Sequence, residues 1–416
     1  MAKNRIIYQS EALYAGPSPA TGYHMGQTTV AAIAPTGVDS ISDATAVMGV
    51  SFVNQLQRIQ TANYSFNITR QDVNQFGELA AIDRVILESP TVSLDFSYIL
   101  GSLVNEHNMG FFVTNSGNAT DVRSALSGIL NKTEDERNYF IKTVGEGSDA
   151  LGGSDVATTS PPSVIGIGNG FITSYSTEGS VGDFPSCSVS VEALNMAFEN
   201  GVSGDYIPAI NPEDGVKDST RKYSLPSGMS DAGLNPSGAL PQPHANKSGV
   251  SALRPGDITL TWWPTASVTA SEKITDIPGL QITDAKIQSY NMSFDLSRDP
   301  LQKLGSKFAF AREISFPVTV SLSVDANVGE VATGNLADIV DNDVALDANV
   351  NLFAPGTTKS DLDHRMACFT LKNCKLDSQE YSSDIGSNKS VSLGFSAQIG
   401  GPAQTTVGLF MSGIYS

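Results

Sequence analysis

The residue types that usually carry chemistry are present in this chain, but never at working spacing. His24, His107, His244 and His364 lie in four separate neighbourhoods. None has a Cys or a second His at ligand distance, so the sequence assembles neither a zinc site nor a Ser-His-Asp triad. Asp341-Asn342-Asp343 with Asp347 offers hard oxygen ligands, yet the turn Gly and terminal Glu of an EF-hand loop are missing, and a solvated acidic loop is expected. Gly166-Ile167-Gly168-Asn169-Gly170 lacks the third Gly of the dinucleotide fingerprint, and no helix pattern follows it. Cys187, Cys368 and Cys374 form an odd set without CxxC spacing, expected as free thiols half-buried in strands and made in a reducing cytoplasm. The expectation is a chain that is not an enzyme, with no cofactor and no metal.

Two arginine pairs stand apart from this scatter. Arg70 and Arg84 flank Gly77, and Arg298 and Arg312 flank Gly305, with 14 residues separating each pair. Guanidinium groups so placed serve either as an intradomain salt bridge or strand-end cap, or as a bidentate fork on a carboxylate across a subunit interface. Both readings stay open. Gly77 and Gly305 are candidate turns.

The pairs match because the sequence contains itself twice. Ile59 to Leu94 aligns without a gap on Ile287 to Leu322 at an offset of 228, and 14 of the 36 aligned residues are identical. Within each copy the period is that of strands. Ala62, Tyr64, Phe66 and Ile68 alternate with polar residues, as do Tyr290, Met292, Phe294 and Leu296, which aims the same face of both copies at a core. Thr91 to Tyr98 and Thr319 to Val324 make a second shared strand. Ser186 to Val191 and Ser390 to Phe395 make a third, now at an offset of 204, so the first copy holds 24 more residues between its second and third strands. The Gly/Ser-rich stretch Gly145 to Ser163 accounts for the surplus as an exposed loop. Short helices are expected over Ser97 to His107, Asn335 to Asp341, and Asp121 to Leu130 with Thr120 or Asp121 as cap. The domains expected are an N-terminal arm over 1–29, two similar domains over 30–200 and 256–416, and between them a Pro-rich linker or excursion over 201–255 that binds another subunit in part.

Composition narrows the function. Charged residues are only 16% and the formal charge is −18, which disfavours binding to nucleic acid by phosphate neutralisation. The first residues contain no apolar signal-peptide core, and no stretch approaches the length of a membrane span.

In each copy a strand ends in Ser-Phe-(Asn/Asp)-(Ile/Leu)-(Thr/Ser)-Arg and a loop leads to Phe76-Gly77 or Leu304-Gly305. Arg84 or Arg312 then precedes a Thr-Val-Ser-Leu strand. This pattern resembles the tail tube proteins of long-tailed bacteriophages. The runs Gly168 to Tyr175 and Val181 to Pro185 fit the same resemblance. It implies a mainly β fold: β-sandwich tube domains, each with one short flanking helix, whose inner sheets join those of neighbours into a β-barrel-lined ring. For a duplicated chain it implies homotrimeric, pseudo-hexameric rings that stack into a tube. A tape measure protein would lie inside, and terminator and baseplate proteins at the ends. The chain would be made in the host bacterial cytoplasm and reside in the virion. DNA would pass through without specific binding, along a net negative lining for which Ser93, Asp95, Ser321 and Ser323 are candidates. Two other classes remain open: another virion ring component (tail terminator, baseplate or capsid decoration protein), and a β-sandwich receptor- or glycan-binding protein. Only two Trp, adjacent at 262 and 263, argue against the second.

Overall fold

The computed structural model describes residues 11–17, 51–52, 54–115, 123–132, 135–144, 150, 163–200, 207–217, 223–224, 253–264, 276–277, 280–281, 285–337, 345–357, 359, 365–383, 385 and 388–413. The first copy contributes β1 (Glu11–Pro17), β2 (Ile59–Asn67), β3 (Arg70–Val73), β4 (Asp83–Ile86), β5 (Thr91–Ile99), β6 (Glu136–Thr143), β7 (Ser163–Ser180), β8 (Ser186–Ala193) and β9 (Asn195–Asn200). The second contributes β10 (Ile258–Pro264), β11 (Lys286–Asp295), β12 (Arg298–Leu301), β13 (Ala311–Ile314), β14 (Thr319–Asn327), β15 (Leu346–Phe353), β16 (Arg365–Ser382), β17 (Ser390–Gln398) and β18 (Gly408–Gly413). The fold is mainly β, and each of these strands has a counterpart in the other copy.

Alternation decides the central strands. In β5 and β14 the odd-even pattern of exposure puts Val92, Leu94, Phe96 and Tyr98, and Val320, Leu322 and Val324, inside. Their polar neighbours face out. Strands β2, β5, β8 and β7 form a four-stranded antiparallel sheet, and β11, β14, β17 and β16 form its counterpart. The C-terminal part of β7 pairs with β11, so the two sheets run on as one.

The second layer is built from the same long strands. β7 and β16 each span 18 residues. The N-terminal half of β7 pairs with β6 and β9, and that of β16 with β15 and β18. The turn from one layer to the other falls at Asn169 and Asn373, which stand at φ 55° and 56°. Asparagine tolerates this left-handed conformation better than most side chains. Each amide is satisfied locally: Asn169 N–H donates to Asn138 Oδ1, and Asn373 N–H to Asp347 Oδ1, both at 2.9 Å. The result is two sandwich-like domains around a hydrophobic core that runs without a break from Leu13 and Leu94 to Phe395 and Met411.

One part of this core is polar and belongs to the first copy alone. Glu106 is fully buried, and its Oε1 accepts from Tyr98 Oη at 2.6 Å, from Tyr175 Oη at 3.1 Å and from Cys187 Sγ at 3.7 Å. Burial raises its proton affinity above that of an ordinary carboxyl, against the opposing pull of those hydrogen bonds. At the matching positions the second copy carries Ala326, Gln379 and Val391.

The structure departs from the sequence expectations in several places. Ser97 to Ile99 continue strand β5, and the helix after it, α1, covers only Val104–Asn108. The backbone of Ser97 pairs with Ser188, so strand pairing overrides the short helical spacing. A second helix, α2, is Ser127–Leu130, and the caps expected at Thr120 and Asp121 lie outside the described residues. Of Asn335 to Asp341, Leu336 and Ala337 are helical, and the remainder beyond Ala337 lies outside the described residues. Within the segment read as an N-terminal arm, β1 pairs with β6 along its whole length, as β10 pairs with β15. Both faces of β1 are covered, so Ala12 to Ala15 are buried in succession and show no alternation. The Gly145 to Ser163 loop lies outside the described residues except for Ala150 and Ser163.

Candidate assembly surface

The seam between the two copies shows how this fold joins to itself. Beyond the β7–β11 pairing, the β12–β13 hairpin of the second copy reaches over the first. Arg298 lies in a fork: Nη2 donates to Asp135 Oδ1 at 2.6 Å and Nη1 to Oδ2 at 3.1 Å, while Nε donates to the Ile172 carbonyl at 3.0 Å. Its guanidinium also covers the Phe171 ring at 5.1 Å. Arg312 pairs with Glu192, and Lys132 with Glu313 at 2.5 Å, both across the seam. The Arg298 side chain is 1% exposed and Asp135 9%. Two charges so enclosed hold together only because every donor has a partner.

Part of the linker locks the same junction. Pro208 crosses β7 at Gly166 and Gly168. A Cβ on Gly168 would lie 2.1 Å from the Pro208 carbonyl oxygen, so only glycine admits the crossing. Asn169 Oδ1 accepts from the Ile210 amide at 3.0 Å. Farther along, Ser306 Oγ of the second copy donates to the Pro212 carbonyl at 2.9 Å, and Lys303 pairs with Glu213. The glycines that imitated a nucleotide fingerprint make room for chain crossing chain.

The arginines of the first copy sit in another setting. Arg70 is exposed, and Arg84 Nε donates to Asp72 Oδ1 at 2.6 Å within its own hairpin. The β3–β4 hairpin stands clear of the core with Phe76, Leu79 and Ile82 in solvent. Gly77 and Gly305 lie in turns at φ 97° and 87°.

Across both sheets the face opposite the core is short and polar. One transverse row runs Thr61, Ser97, Ser188, Ser176, Ser293, Ser321, Ser396 and Lys375, each paired with the next. The neighbouring row includes Asn63, Asp95, Ser190, Ser174 and Asp295. Ser93, Asp95, Ser321 and Ser323 all lie exposed on this face. Its ionised groups are mainly acidic: Asp95, Glu178, Glu192, Asp295, Asp325 and Glu380 against Lys286 and Lys375.

The remaining sequence candidates are dispersed. His107 is half-buried at the end of α1, where desolvation and then Arg137 lower its pKa to about 4. His24, His244, His364, Asp341 and Asp343 lie outside the described residues. The three cysteines are buried free thiols in strands. Sequence reasoning missed Asp135 and Glu192, the carboxylates that receive Arg298 and Arg312. Neither has an acidic counterpart in the repeat to draw attention to it.

No protein-family model matches the chain, and no curated protein matches it. Solved structures resemble it to a limited extent. A chain of the anti-feeding prophage (AFP) baseplate, 6-fold symmetrised, is 12% identical and matches 38% of this chain and 94% of that one, at a TM-score of 0.26. A chain from the tail of an empty GTA particle with C6 symmetry is 14% identical and matches 35% of this chain and 92% of that one, at 0.23. A chain from the virion of the native gene transfer agent (GTA) particle is 13% identical and matches 38% and 95%, at 0.21. At these values the likeness identifies no family.

Proposed function

We propose that this chain is a structural virion protein with no catalytic step, whose rings stack into a phage tail tube and form the conduit for genome passage. The observation that carries the reading is the continuous two-copy sheet, with a short, polar, mainly acidic face and, among the described residues, one unpaired edge at each end. Unpaired edges invite aggregation unless another strand covers them, and closure into a ring removes both. Two equivalent sheets per chain make three chains sufficient for a pseudo-sixfold ring. Turned inward, the polar face supplies a smooth wall. Duplex DNA carries one charge per about 1.7 Å, so acids such as Asp95, Asp295 and Asp325 hold it off the wall, where a basic lining would retain it. Tape measure, terminator and baseplate proteins are the partners this role requires.

Electron microscopy of purified protein tests the reading, together with mass measurement of isolated rings. The expected result is tubes or three-lobed rings of three 43.8 kDa chains. A protein that stays monomeric, a single-layer ring of six full-length chains, or a lumen lined by Lys and Arg would each refute it.

A further inference from the structure

The seam inside the chain has an unused counterpart at each end of the molecule. Within the chain, β7 meets β11 with Ser174 opposite Asp295, Tyr175 opposite Phe294, Ser176 opposite Ser293, Thr177 opposite Met292 and Glu178 opposite Asn291. The repeat offset of 204 carries the β7 residues onto Ser378 to Ser382 at the end of β16. The offset of 228 carries the β11 residues back onto Asn63 to Asn67 in β2. Among the described residues no strand covers either of these edges. β16 pairs there with β17 alone, and β2 with β5 alone.

We propose that the seam between chains repeats the seam within the chain. The outer edge of β2 pairs antiparallel with the end of β16 in a second copy of this chain, with Asn67 opposite Ser378, Phe66 opposite Gln379, Ser65 opposite Glu380, Tyr64 opposite Tyr381 and Asn63 opposite Ser382. This rests on the ring reading above and gives it an address. The register keeps each face continuous. Asn63, Ser65 and Asn67 meet Ser382, Glu380 and Ser378 on the polar side. Phe66 and Tyr381, 57% and 43% exposed in the single chain, fall on the core side, where pairing shields them. A slip of one residue would put Phe66 on the polar face of the neighbour's row. The β3–β4 hairpin then reaches over the neighbour as β12–β13 does within the chain, covering the apolar tip that now lies in solvent.

Cysteine cross-linking of the full-length chain reads the register. Ser65 and Glu380 are both exposed, and the native cysteines are buried. Directly opposed residues fall within disulfide reach, whereas diagonal ones stand roughly 7–8 Å apart. The double variant Ser65→Cys with Glu380→Cys, oxidised after assembly, is expected to run on a denaturing gel as linked dimers and larger species. The two single variants and the shifted pair Ser65→Cys with Ser378→Cys should run as monomer. Rings that form without this link, or that link better in the shifted pair, overturn the register and leave the ring standing. A chain that remains monomeric at every concentration overturns both.

Discussion

Arg298 and Arg70 occupy the same position in two copies of one sequence motif, yet one is enclosed in a carboxylate fork and the other lies in solvent. Arg312 and Arg84 repeat the contrast: the first reaches Glu192 across the seam, and the second folds back on Asp72. The motif therefore does not specify burial. What lies against the hairpin does, and only the second copy has a neighbour within the chain. Position 72 shows the difference locally, since Asp72 in the first copy corresponds to Pro300 in the second. A hairpin with its own acid keeps its guanidinium occupied, whereas one without must find an acid elsewhere.

The largest test of this contrast removes the enclosed charge. Arg298→Ala leaves Asp135 buried without its fork and should cost about 3–5 kcal/mol in the isolated chain, read from denaturant midpoints. Arg70→Ala in the same assay should stay within about 0.5 kcal/mol. Equal losses from the two variants would break the comparison.

Next in size is the polar cluster that only the first copy has. Tyr98→Phe removes the 2.6 Å bond to Glu106 and should destabilise the chain by about 0.5–1.5 kcal/mol, the range for an intramolecular hydrogen bond. A loss confined to this copy would appear as faster amide exchange in β5 and β8, with β14 and β17 unchanged.

The same carboxyl makes stability depend on pH with a definite sign. Glu106 holds its proton more tightly folded than unfolded, so its contribution is complete below the ordinary glutamate value of 4.5 and declines as pH rises through the higher folded value. Glu106→Gln should flatten that part of the curve, and its gain relative to the parent should be greater in mildly alkaline than in mildly acidic buffer. A parallel pair of curves would show that Glu106 titrates normally.

The smallest effect sharpens the comparison in the opposite direction. Ser396 stands where Glu192 stands in the first copy, so Ser396→Glu offers Arg84 of a neighbouring chain the partner that Arg312 already has. Ring dissociation should shift to lower concentration by the equivalent of about 0.2–1 kcal/mol per seam. Unchanged or weaker association would mean that the two seams are not built alike.

How much of this could be read from the sequence depended on which faces a strand exposes. β5, β14, β8 and β17 have one wet face, and their period of two disclosed both the strands and the repeat. β1, β6 and β15 are covered on both sides and leave no alternation to read; β6, for example, buries Arg137 to Thr143 in succession. The long strands β7 and β16 change layer at an asparagine, which breaks their period in the middle. The arginine pairs were visible as a repeated motif, but their acids were not, because the second copy has no acid to match Asp135 or Glu192, and both meet the hairpin only through tertiary contact. The glycines at 166 and 168 were visible too, and what they admit, Pro208, lies some forty residues downstream.

The covalent tie between the copies changes how a ring comes together. Linking two binding surfaces through one chain gives the second an effective concentration near the millimolar range, far above the concentration of free subunits. In a three-chain ring every second seam is then already made when the chain has folded, and only the β2–β16 junctions wait on collision. Ring formation from such chains should rise with a lower power of concentration than from chains bearing one copy each. Partial arcs should be rarer, because half of the points at which an arc can come apart are held by the backbone.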